Sequence, residues 1–592
     1  MADFQNPQQD PGLERRLLLV FALTFLVILA LQPLLMKKVL PQKPSGPEKK
    51  PAQAKVAPPP AKPPAPAPEA AAAVAKPARG KHRRAHEKAP EPVPGKQAAQ
   101  ETTTVVENDL YRIEFTNKGG QVKSWILKKQ TDDKGKPLEL VNADGAKFGL
   151  PMSLWTYDEG LRNQLNNSLY VASQTGTVHA PATVTFEYSD ADLSVRKTFT
   201  FGHTYVVKVD TSVVYKGAQT VAYPAWPAGF GDQTTGSAYG SARIAWQYND
   251  KIQRDKAKSV NGGGTISGPF HWGGVEDQYF SAVFIPDHPE SAAMVTLRNS
   301  VDIPKNPEHP TPNETSKEDL LGAAVGNAHG PTTERVFVGP KSLNVLESVK
   351  VANGDLRGLV DFGFFGIIAR PLFLWLRWTQ TYVPNWGWAI ALQTLIITLA
   401  LLPLRISSMK SSLKMQKVAP QIKSIQEKYK KYSMRDPRRQ QMNQEIAELY
   451  KKEGVNPIGG CLPLVIQMPF LIAYYAMLEV AIELRHAPWL WIHDLSSADP
   501  WHVLPILIII STLFVQKMTP AAGMDPTQQK MMNLMMPLFL GVISWNLAAG
   551  LCVYWVLSNA IGIAQQAVMN RTELGREMRA EMEKRARKKA KV

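Results

Sequence analysis

Runs of apolar residues are the first pattern in the chain. Five stretches are almost free of charge, at 17–36, 386–404, 458–478, 502–516 and 531–570. A helix rises about 1.5 Å per residue and a hydrocarbon core is about 30 Å thick, so these runs predict membrane spans. The last run would form a helix of roughly 60 Å, which predicts two spans with a turn near 545–550. We therefore expect a polytopic α-helical membrane protein with six spans.

A second pattern, apolar residues at every other position, fills much of the region between the first two runs. Such alternation places one face of a strand in a core and the other in water. Turn signals at 190–192, 261–264 and 353–354 separate the alternating stretches. We expect residues 105–355 to form a large all-β domain, an antiparallel sandwich. The alternating apolar residues are Tyr111, Ile113, Phe115, Val184, Phe186, Tyr188, Leu193, Val195, Phe199, Phe201, Tyr205, Val207 and Val209.

The segment between the first span and the β domain has a different composition. Residues 37–104 are rich in Pro, Ala and Lys, which cannot build a core and favour an extended tether. Arg15 and Arg16 precede the first span, and no small-residue cleavage pattern follows it closely. The span is thus expected to be an uncleaved signal anchor, with a cleaved signal peptide as the alternative.

The formal net charge of +17 is concentrated in the linker, in 405–453 and in the tail 571–592. Basic residues near span ends favour the cytoplasm, which places the last two segments inside. Six spans then place both termini inside and the β domain outside, in the periplasm. Lysines after the first span oppose this orientation by local count, but long loops cross largely regardless of charge.

Two segments beside the spans have amphipathic patterns. Residues 361–380 mix aromatic side chains with Arg370 and Arg377, which predicts a helix lying in the membrane interface. The basic loop 405–457 predicts a helical hairpin, with a second helix that starts near Asp436-Pro437. Its basic outer faces suit anionic lipid, RNA or an acidic protein, and a ribosome is a partner of fitting charge. Its two apolar seams are Val418, Ile422, Ile425, Tyr429 and Tyr432, and Met442, Ile446 and Leu449.

Polar residues within the spans are the candidate functional residues. The third span carries Gln467 between Pro463 and Pro469, an arrangement that a simple anchor does not need. In the second span Gln393, Thr394 and Thr398 are polar, and Arg405 follows on the face of Thr394 and Thr398. Polar groups at membrane depth usually face a wet cavity or another helix. We expect a hydrated groove; the alternatives are helix-to-helix bonding and threonine hydroxyls bonded to their own helix carbonyls.

The β region offers no cluster with catalytic or metal-binding spacing. Its histidines are scattered along the predicted loops and strands, so we expect no metal, no cofactor and no enzymatic activity there. The histidines are His179, His203, His271, His288, His309 and His329.

Several motifs in the membrane part carry a family resemblance. Together they resemble the YidC (Oxa-type) family of membrane protein insertases over about 361–570, and the anchor, linker and sandwich are similar to its Gram-negative branch. The motifs are Asn385-Trp-Gly387, Pro403-Leu404, Asn456-Pro-Ile-Gly-Gly-Cys461, Gln467-Met-Pro469, Glu483-Leu-Arg485, Trp491-Ile-His-Asp-Leu495, Gln516-Lys517 and Ser558-Asn559.

The resemblance implies a fold and a function. The fold would be five core helices around a hydrophilic groove open to cytosol and lipid, with a β-super-sandwich in the periplasm. The function would be insertion and folding of nascent membrane proteins in the inner membrane, alone or with the Sec translocon. The ribosome or targeting machinery and the lipid bilayer are the further partners, and no nucleotide or other cofactor is implied.

One position departs from the family pattern. The family places an arginine in the middle of its first core span, and Thr398 stands there in this chain, while Thr394 matches. Arg405 lies seven residues further along, roughly 10 Å, on the same face. We therefore expect substrate capture by hydration and by the amides of Gln393 and Gln467, with Arg405 as a partial substitute.

Two other functions compete with insertion. A channel or transporter also uses polar residues in its spans, but paired intramembrane acids are not seen here. A membrane-tethered protein that binds or modifies carbohydrate would place function in the sandwich. The expected segments are 1–16 cytoplasmic, 17–36 anchor, 37–104 linker, 105–355 sandwich, 361–380 interfacial helix, 385–404 span, 405–457 hairpin, 458–478 span, 479–501 periplasmic loop, 502–516 span, 517–530 cytoplasmic loop, 531–546 and 550–569 spans, and 571–592 tail.

Overall fold

The computed structural model describes most of the chain after the predicted linker. The described residues are 95–231, 242–304, 315–432, 436–455, 462–518, 526–573, 575–577 and 580. The predicted cytoplasmic N-terminus and anchor, and most of the linker and of the basic tail, lie outside them. The β domain begins slightly before residue 105, because Lys96 pairs with Ser189 and the first strand starts at Thr103.

Residues 103–355 form the predicted β-rich domain. Its strands are β1 Thr103–Glu107, β2 Tyr111–Thr116, β3 Gln121–Thr131, β4 Pro137–Glu139, β5 Ser153–Trp155, β6 Val171–Ala172, β7 Gly176–His179, β8 Ala182–Ser189, β9 Leu193–Phe201, β10 Val206–Tyr215, β11 Ala218–Gln219, β12 Tyr223–Trp226, β13 Arg243–Tyr248, β14 Lys251–Lys256, β15 Thr265–Ser267, β16 Gly273–Glu276, β17 Phe280–Pro286, β18 Ala292–Pro304, β19 Thr315–Asn327, β20 Thr332–Pro340, β21 Lys350–Val351 and β22 Gly354–Asp355.

These strands build one large sheet and smaller ones. The large sheet has the order β14-β13-β16-β17-β20-β10-β9-β8-β6, with β11 beside β10. Two five-stranded sheets have the orders β4-β3-β2-β1-β7 and β15-β18-β19-β12-β5, and β21 pairs with β22. The pairing is antiparallel as expected, except that β1 and β7 run parallel. A chain that returns to a sheet edge after a crossover is free to pair in parallel, which strand alternation does not reveal.

The alternating apolar residues of the sequence form the core of this domain, as predicted. All thirteen are buried. Phe115 packs on Phe199 with ring centroids 5.0 Å apart and on Phe186 at 5.7 Å, and Trp125 packs on Trp226 at 5.9 Å. Tilted and edge contacts of this kind add to the area that the rings bury.

The C-terminal part is helical. The described α-helices within the β domain are α1 Glu159–Asn167 and α2 Leu343–Ser348. The helices of the C-terminal part are α3 Gly366–Tyr382, α4 Trp386–Ala400, α5 Leu402–Lys428, α6 Arg438–Lys452, α7 Leu462–Val480, α8 Val503–Met518, α9 Pro526–Ser544 and α10 Ala549–Met569. The chain turns between α9 and α10 at residues 545–548, inside the long apolar run.

Few of these helices are by themselves both long enough and apolar enough to cross a membrane. Within the described ranges, α10 is long and apolar enough to cross a membrane alone, while α3 and α4 meet the criterion only together and are bent by 120°. Shorter apolar helices are Pro469–Val480, Val503–Met518 and Asn533–Ser544. The count of six spans therefore stays a prediction.

The loop after α7 makes several contacts between the helical part and the β domain. His486 Nδ1 lies 2.8 Å from the Thr131 hydroxyl, and Arg485 donates to the Thr131 carbonyl at 2.6 Å. The Arg485 guanidinium also lies over the Phe280 ring, 5.6 Å from its centroid. Nearby, Ser342 donates to Glu483 at 3.1 Å. These contacts fix the outer end of α7 against the sandwich.

Lys197 is a fully buried cation in the large sheet. Its ammonium donates to the carbonyls of Gly119 at 3.0 Å, Gly120 at 2.7 Å and Met152. Burial lowers the pKa of Lys197 to about 7. The three carbonyls match the three donors of an ammonium group, so the side chain joins β9 to the turn before β3 and to the segment before β5.

We expect Lys197→Met to destabilise the β domain by about 3 kcal/mol, because three buried carbonyls lose their donor. Unfolding of the full chain in detergent, followed by tryptophan fluorescence, measures the change. Lys208→Met, at an exposed position of the neighbouring β10, is the matched control. Equal stability of the two variants would contradict this role of Lys197.

Glu334 is a buried acidic residue of the large sheet. It lies in β20 between β10 and β17, and among the described residues neither carboxyl oxygen has a hydrogen-bond partner. Burial, and secondarily the charge of Asp287, raise the pKa of Glu334 well above its ordinary value. The folded protein therefore keeps this carboxyl protonated at a pH where the unfolded chain has released the proton.

The stability contributed by protonated Glu334 is complete below the ordinary pKa of a glutamate and is lost as pH rises through the raised pKa. We expect the free energy of unfolding to fall by up to about 1.4 kcal/mol per pH unit from this group. Glu334→Gln, which stays neutral, should reduce the difference in stability between pH 5 and pH 8. Glu290→Gln, at an exposed site, should leave that difference unchanged; chemical denaturation at both pH values tests the pair.

Candidate functional site

Helix α4 carries most of the predicted site residues, and its start is fixed by local contacts. The Asn385 side chain accepts from the Trp388 backbone N–H and caps the helix, and it donates to the Pro488 carbonyl at 3.0 Å. A side chain on Gly387 would collide with the Trp489 ring, so the glycine permits α4 to pack against that loop. These contacts set the depth of α4 relative to the loop after α7.

Gln393 and Thr394 lie inside the helix bundle. The Gln393 amide donates to the Leu372 carbonyl of α3 at 3.0 Å and accepts from the Tyr474 hydroxyl of α7 at 2.9 Å. Thr394 donates to the carbonyl of Ile390, one turn earlier, at 2.7 Å. Both side chains have no exposed surface. Gln393 thus joins α3, α4 and α7, and Thr394 is buried beside it in α4.

Thr398 and Arg405 lie together against α10. The Thr398 hydroxyl donates to the carbonyl of Thr394 at 2.6 Å. Both threonine hydroxyls therefore bond to carbonyls of their own helix, which is the alternative that the sequence left open for them. The Thr398 carbonyl accepts from the Gln565 amide at 3.2 Å, and Arg405 donates to Gln565 Oε1 at 3.1 Å. Thr398, Arg405 and Gln565 are each half-buried, and therefore partly accessible.

The other side of α10 forms a second polar contact. Asn559 donates to the hydroxyls of Ser511 at 2.9 Å and of Thr512 at 3.1 Å, both on α8. Helix α10 thus makes polar contacts with the α4–α5 segment on one side and with α8 on the other. We call Thr398, Arg405, Ser511, Thr512, Asn559 and Gln565 the polar seam.

Sequence reasoning did not select Gln565, Ser511 or Thr512, and it named Asn559 only within a family motif and not as a site residue. The sequence does contain a signal for these residues, because they are polar residues within runs that are otherwise apolar. The helix-to-helix pairing that makes them partners is not readable from one segment. Residues 456–461 and the side chain of Gln467 lie outside the described residues, although the backbone of Gln467 belongs to α7.

The helical hairpin predicted from the apolar seams is present as α5 and α6. Val418 and Ile422 are buried and pack with Ile446 and Leu449 of the second helix. Asp436 accepts from the Arg438 backbone N–H at the start of α6. Lys428 and Glu445 form an ion pair of 2.7 Å between the helices. The exposed basic residues of both helices remain on the outer faces.

Known proteins resemble both parts of the chain. The family described as 60Kd inner membrane protein matches residues 378–576, and the YidC periplasmic domain matches 103–375. The membrane protein insertase YidC of Geobacter sulfurreducens is 33% identical over 484 residues, covering 78% of this chain and 85% of the relative. That of Geobacter metallireducens is 34% identical over 508 residues, with 82% and 88% covered. The crystal structure of YidC from Thermotoga maritima has 15% identity, covers 80% of this chain and 99% of that chain, and has a TM-score of 0.27.

The contact between Gln393 and Tyr474 is expected to be energetically coupled. Gln393→Leu leaves the Tyr474 hydroxyl without its acceptor, and Tyr474→Phe removes that hydroxyl but keeps the ring. Each change should destabilise the helical part by about 0.6 to 2 kcal/mol, and the double variant by less than the sum. Unfolding in mixed detergent micelles measures the cycle. Additive effects would show that the hydrogen bond contributes nothing.

Proposed function

Because the chain belongs to the YidC family of inner-membrane proteins, we propose that it inserts membrane proteins into the inner membrane and assists their folding. The chain has the two parts of that family, a periplasmic β-rich domain and a helical C-terminal part. The curated relatives that share most of its length are named as membrane protein insertases. The observation that carries the proposal is the polar seam, which lies among helices of high apolar content.

The seam supports a physical mechanism. A partly hydrated polar surface within the bilayer lowers the free energy needed to move a hydrophilic substrate segment past the lipid. Apolar substrate segments gain about 25 cal/mol per Å² when they leave water for lipid. Insertion then proceeds down a free-energy gradient and requires no nucleotide. Thr398 and Arg405 would touch the substrate, whereas Gln393 and Thr394 would hold the wall behind them; Gln467 is proposed to complete the opposite wall.

The topology is part of the proposal. We place the predicted six spans so that both termini and the α5–α6 hairpin are cytoplasmic, in agreement with their basic charge. Helix α3 is proposed to lie at the outer interface, since Ile367, Trp378 and Tyr382 on it are highly exposed while Leu372 and Leu376 are buried. The loop that carries Arg485 and His486 is then periplasmic, beside the β domain that it contacts.

Partners follow from the same arrangement. The basic outer faces of α5 and α6 suit a ribosome or targeting machinery, because nucleic acid and acidic proteins attract such a surface. Lys417 lies 3.5 Å from Glu577, which brings the start of the basic tail to the hairpin. Cooperation with the Sec translocon is proposed for substrates with large translocated domains, while short substrates would use this chain alone.

Crosslinking in cells tests the proposal. Photoreactive residues at 398 and 467 should crosslink to nascent membrane proteins during insertion. A photoreactive residue at Ile510, which is exposed on α8, is the control and should give far fewer protein crosslinks. Depletion of the chain should at the same time lower membrane insertion of the crosslinked substrates. Crosslinks of equal strength from all three positions, or unchanged insertion after depletion, would contradict the insertase function.

A further inference from the structure

Helix α3 has a buried face and an exposed face, and apolar side chains line the exposed one. Ile367, Leu374 and Trp378 are 85%, 48% and 59% exposed. Their spacings of seven and four residues place them on one side of the helix. Exposed apolar side chains that align on one helix face are typical of a surface that lipid or another protein covers.

The opposite face of α3 is fixed within the protein. The Leu372 carbonyl accepts from the Gln393 amide of α4 at 3.0 Å, and Arg377 donates to Asn344 of the β domain. Helices α3 and α4 are bent by 120° relative to each other. Where α4 runs along the membrane normal, α3 lies in the membrane plane to within the roughly 30° by which this angle exceeds a right angle. The helix then runs along the membrane surface and not across it.

Arg370 interrupts the apolar stripe with a positive charge. It is exposed, three residues after Ile367 and four before Leu374, so apolar side chains flank it on both sides along the helix. Within the described ranges Arg370 forms no ion pair, whereas Arg377 on the same helix is bonded to Asn344. A guanidinium has five N–H donors in a planar fork that matches a phosphate. This surface therefore suits a ligand that combines an anionic head group with hydrocarbon.

We propose that the exposed face of α3 binds an anionic phospholipid of the outer leaflet, with its phosphate on Arg370 and its acyl chains beside Ile367 and Leu374. The inference rests on the interfacial position of α3 in the proposed topology, and it assigns a ligand to that helix. A lipid is favoured over an acidic protein because Trp378 and Tyr382 follow on the same side, with ring centroids 5.0 Å apart, and both are exposed. Exposed Trp and Tyr side chains are typical of the membrane interface. The bound lipid holds α3, and the helix α4 bonded to it, at the outer surface of the bilayer.

Photocrosslinking from position 367 tests this assignment. The full-length protein, with a photoreactive residue in place of Ile367, is placed in proteoliposomes with equal amounts of phosphatidylglycerol and phosphatidylcholine that have the same acyl chains. Mass spectrometry of the labelled peptide should find a roughly fivefold excess of phosphatidylglycerol, from the attraction of one basic residue to an anionic head group. Arg370→Gln should remove the excess, and Arg370→Lys, which keeps the charge, should retain most of it.

A photoreactive residue at Ile510, which is exposed on α8, is the matched control. It should capture both lipids equally with and without Arg370→Gln, which also reports that the variant stays embedded in the bilayer. An excess that survives Arg370→Gln, or equal capture of the two lipids at 367, would overturn the inference. Capture of a protein at 367 in cells, in place of lipid, would overturn it in favour of a protein partner. Insertion of a test substrate is measured separately, so that absent insertion with an intact lipid excess would count against the insertase function alone.

Discussion

The helical part of this protein is governed by the need to satisfy polar groups in an apolar surrounding. An amide or hydroxyl without a partner is strongly unfavourable in hydrocarbon, so each must find another helix or water. Gln393 does so by linking α3 to α7 through α4, and Asn559 by linking α10 to α8. These bonds connect the helices, and the half-buried Thr398, Arg405 and Gln565 lie together between the α4–α5 segment and α10.

The β domain meets the same requirement by different means. Glu276 is fully buried, and Arg254 at 2.8 Å and Lys341 at 3.1 Å neutralise it. Lys197 is buried with three carbonyl acceptors, whereas the carboxyl oxygens of Glu334 have no hydrogen-bond donor among the described residues, and burial raises the pKa of that carboxyl. The hydrogen bond from Arg485 to the Thr131 carbonyl attaches this domain to the loop after α7.

Thr398 and Arg405 are connected through one residue of α10, Gln565. A threonine in the middle of the span bonds to its own helix and leaves its carbonyl to Gln565. The same glutamine accepts from the guanidinium of Arg405, which follows the break between α4 and α5. Thr398 and Arg405, two turns apart, therefore contact the same side chain of α10.

The sequence alone determined the division into a β-rich and a helical part, because period-two alternation and long uncharged runs are local properties of the chain. It also placed the buried face of β8, β9 and β10, as Phe186, Phe199 and Val207 show. Only the tertiary structure decided which polar residues meet. Gln393 and Thr394, which the sequence predicts as groove residues, are fully buried, and Gln393 bonds to α3 and α7. Gln565 was passed over, yet it joins Thr398 to Arg405. The reason is physical: a hydrogen bond between helices depends on their rotation and depth, and these follow from packing across the whole bundle.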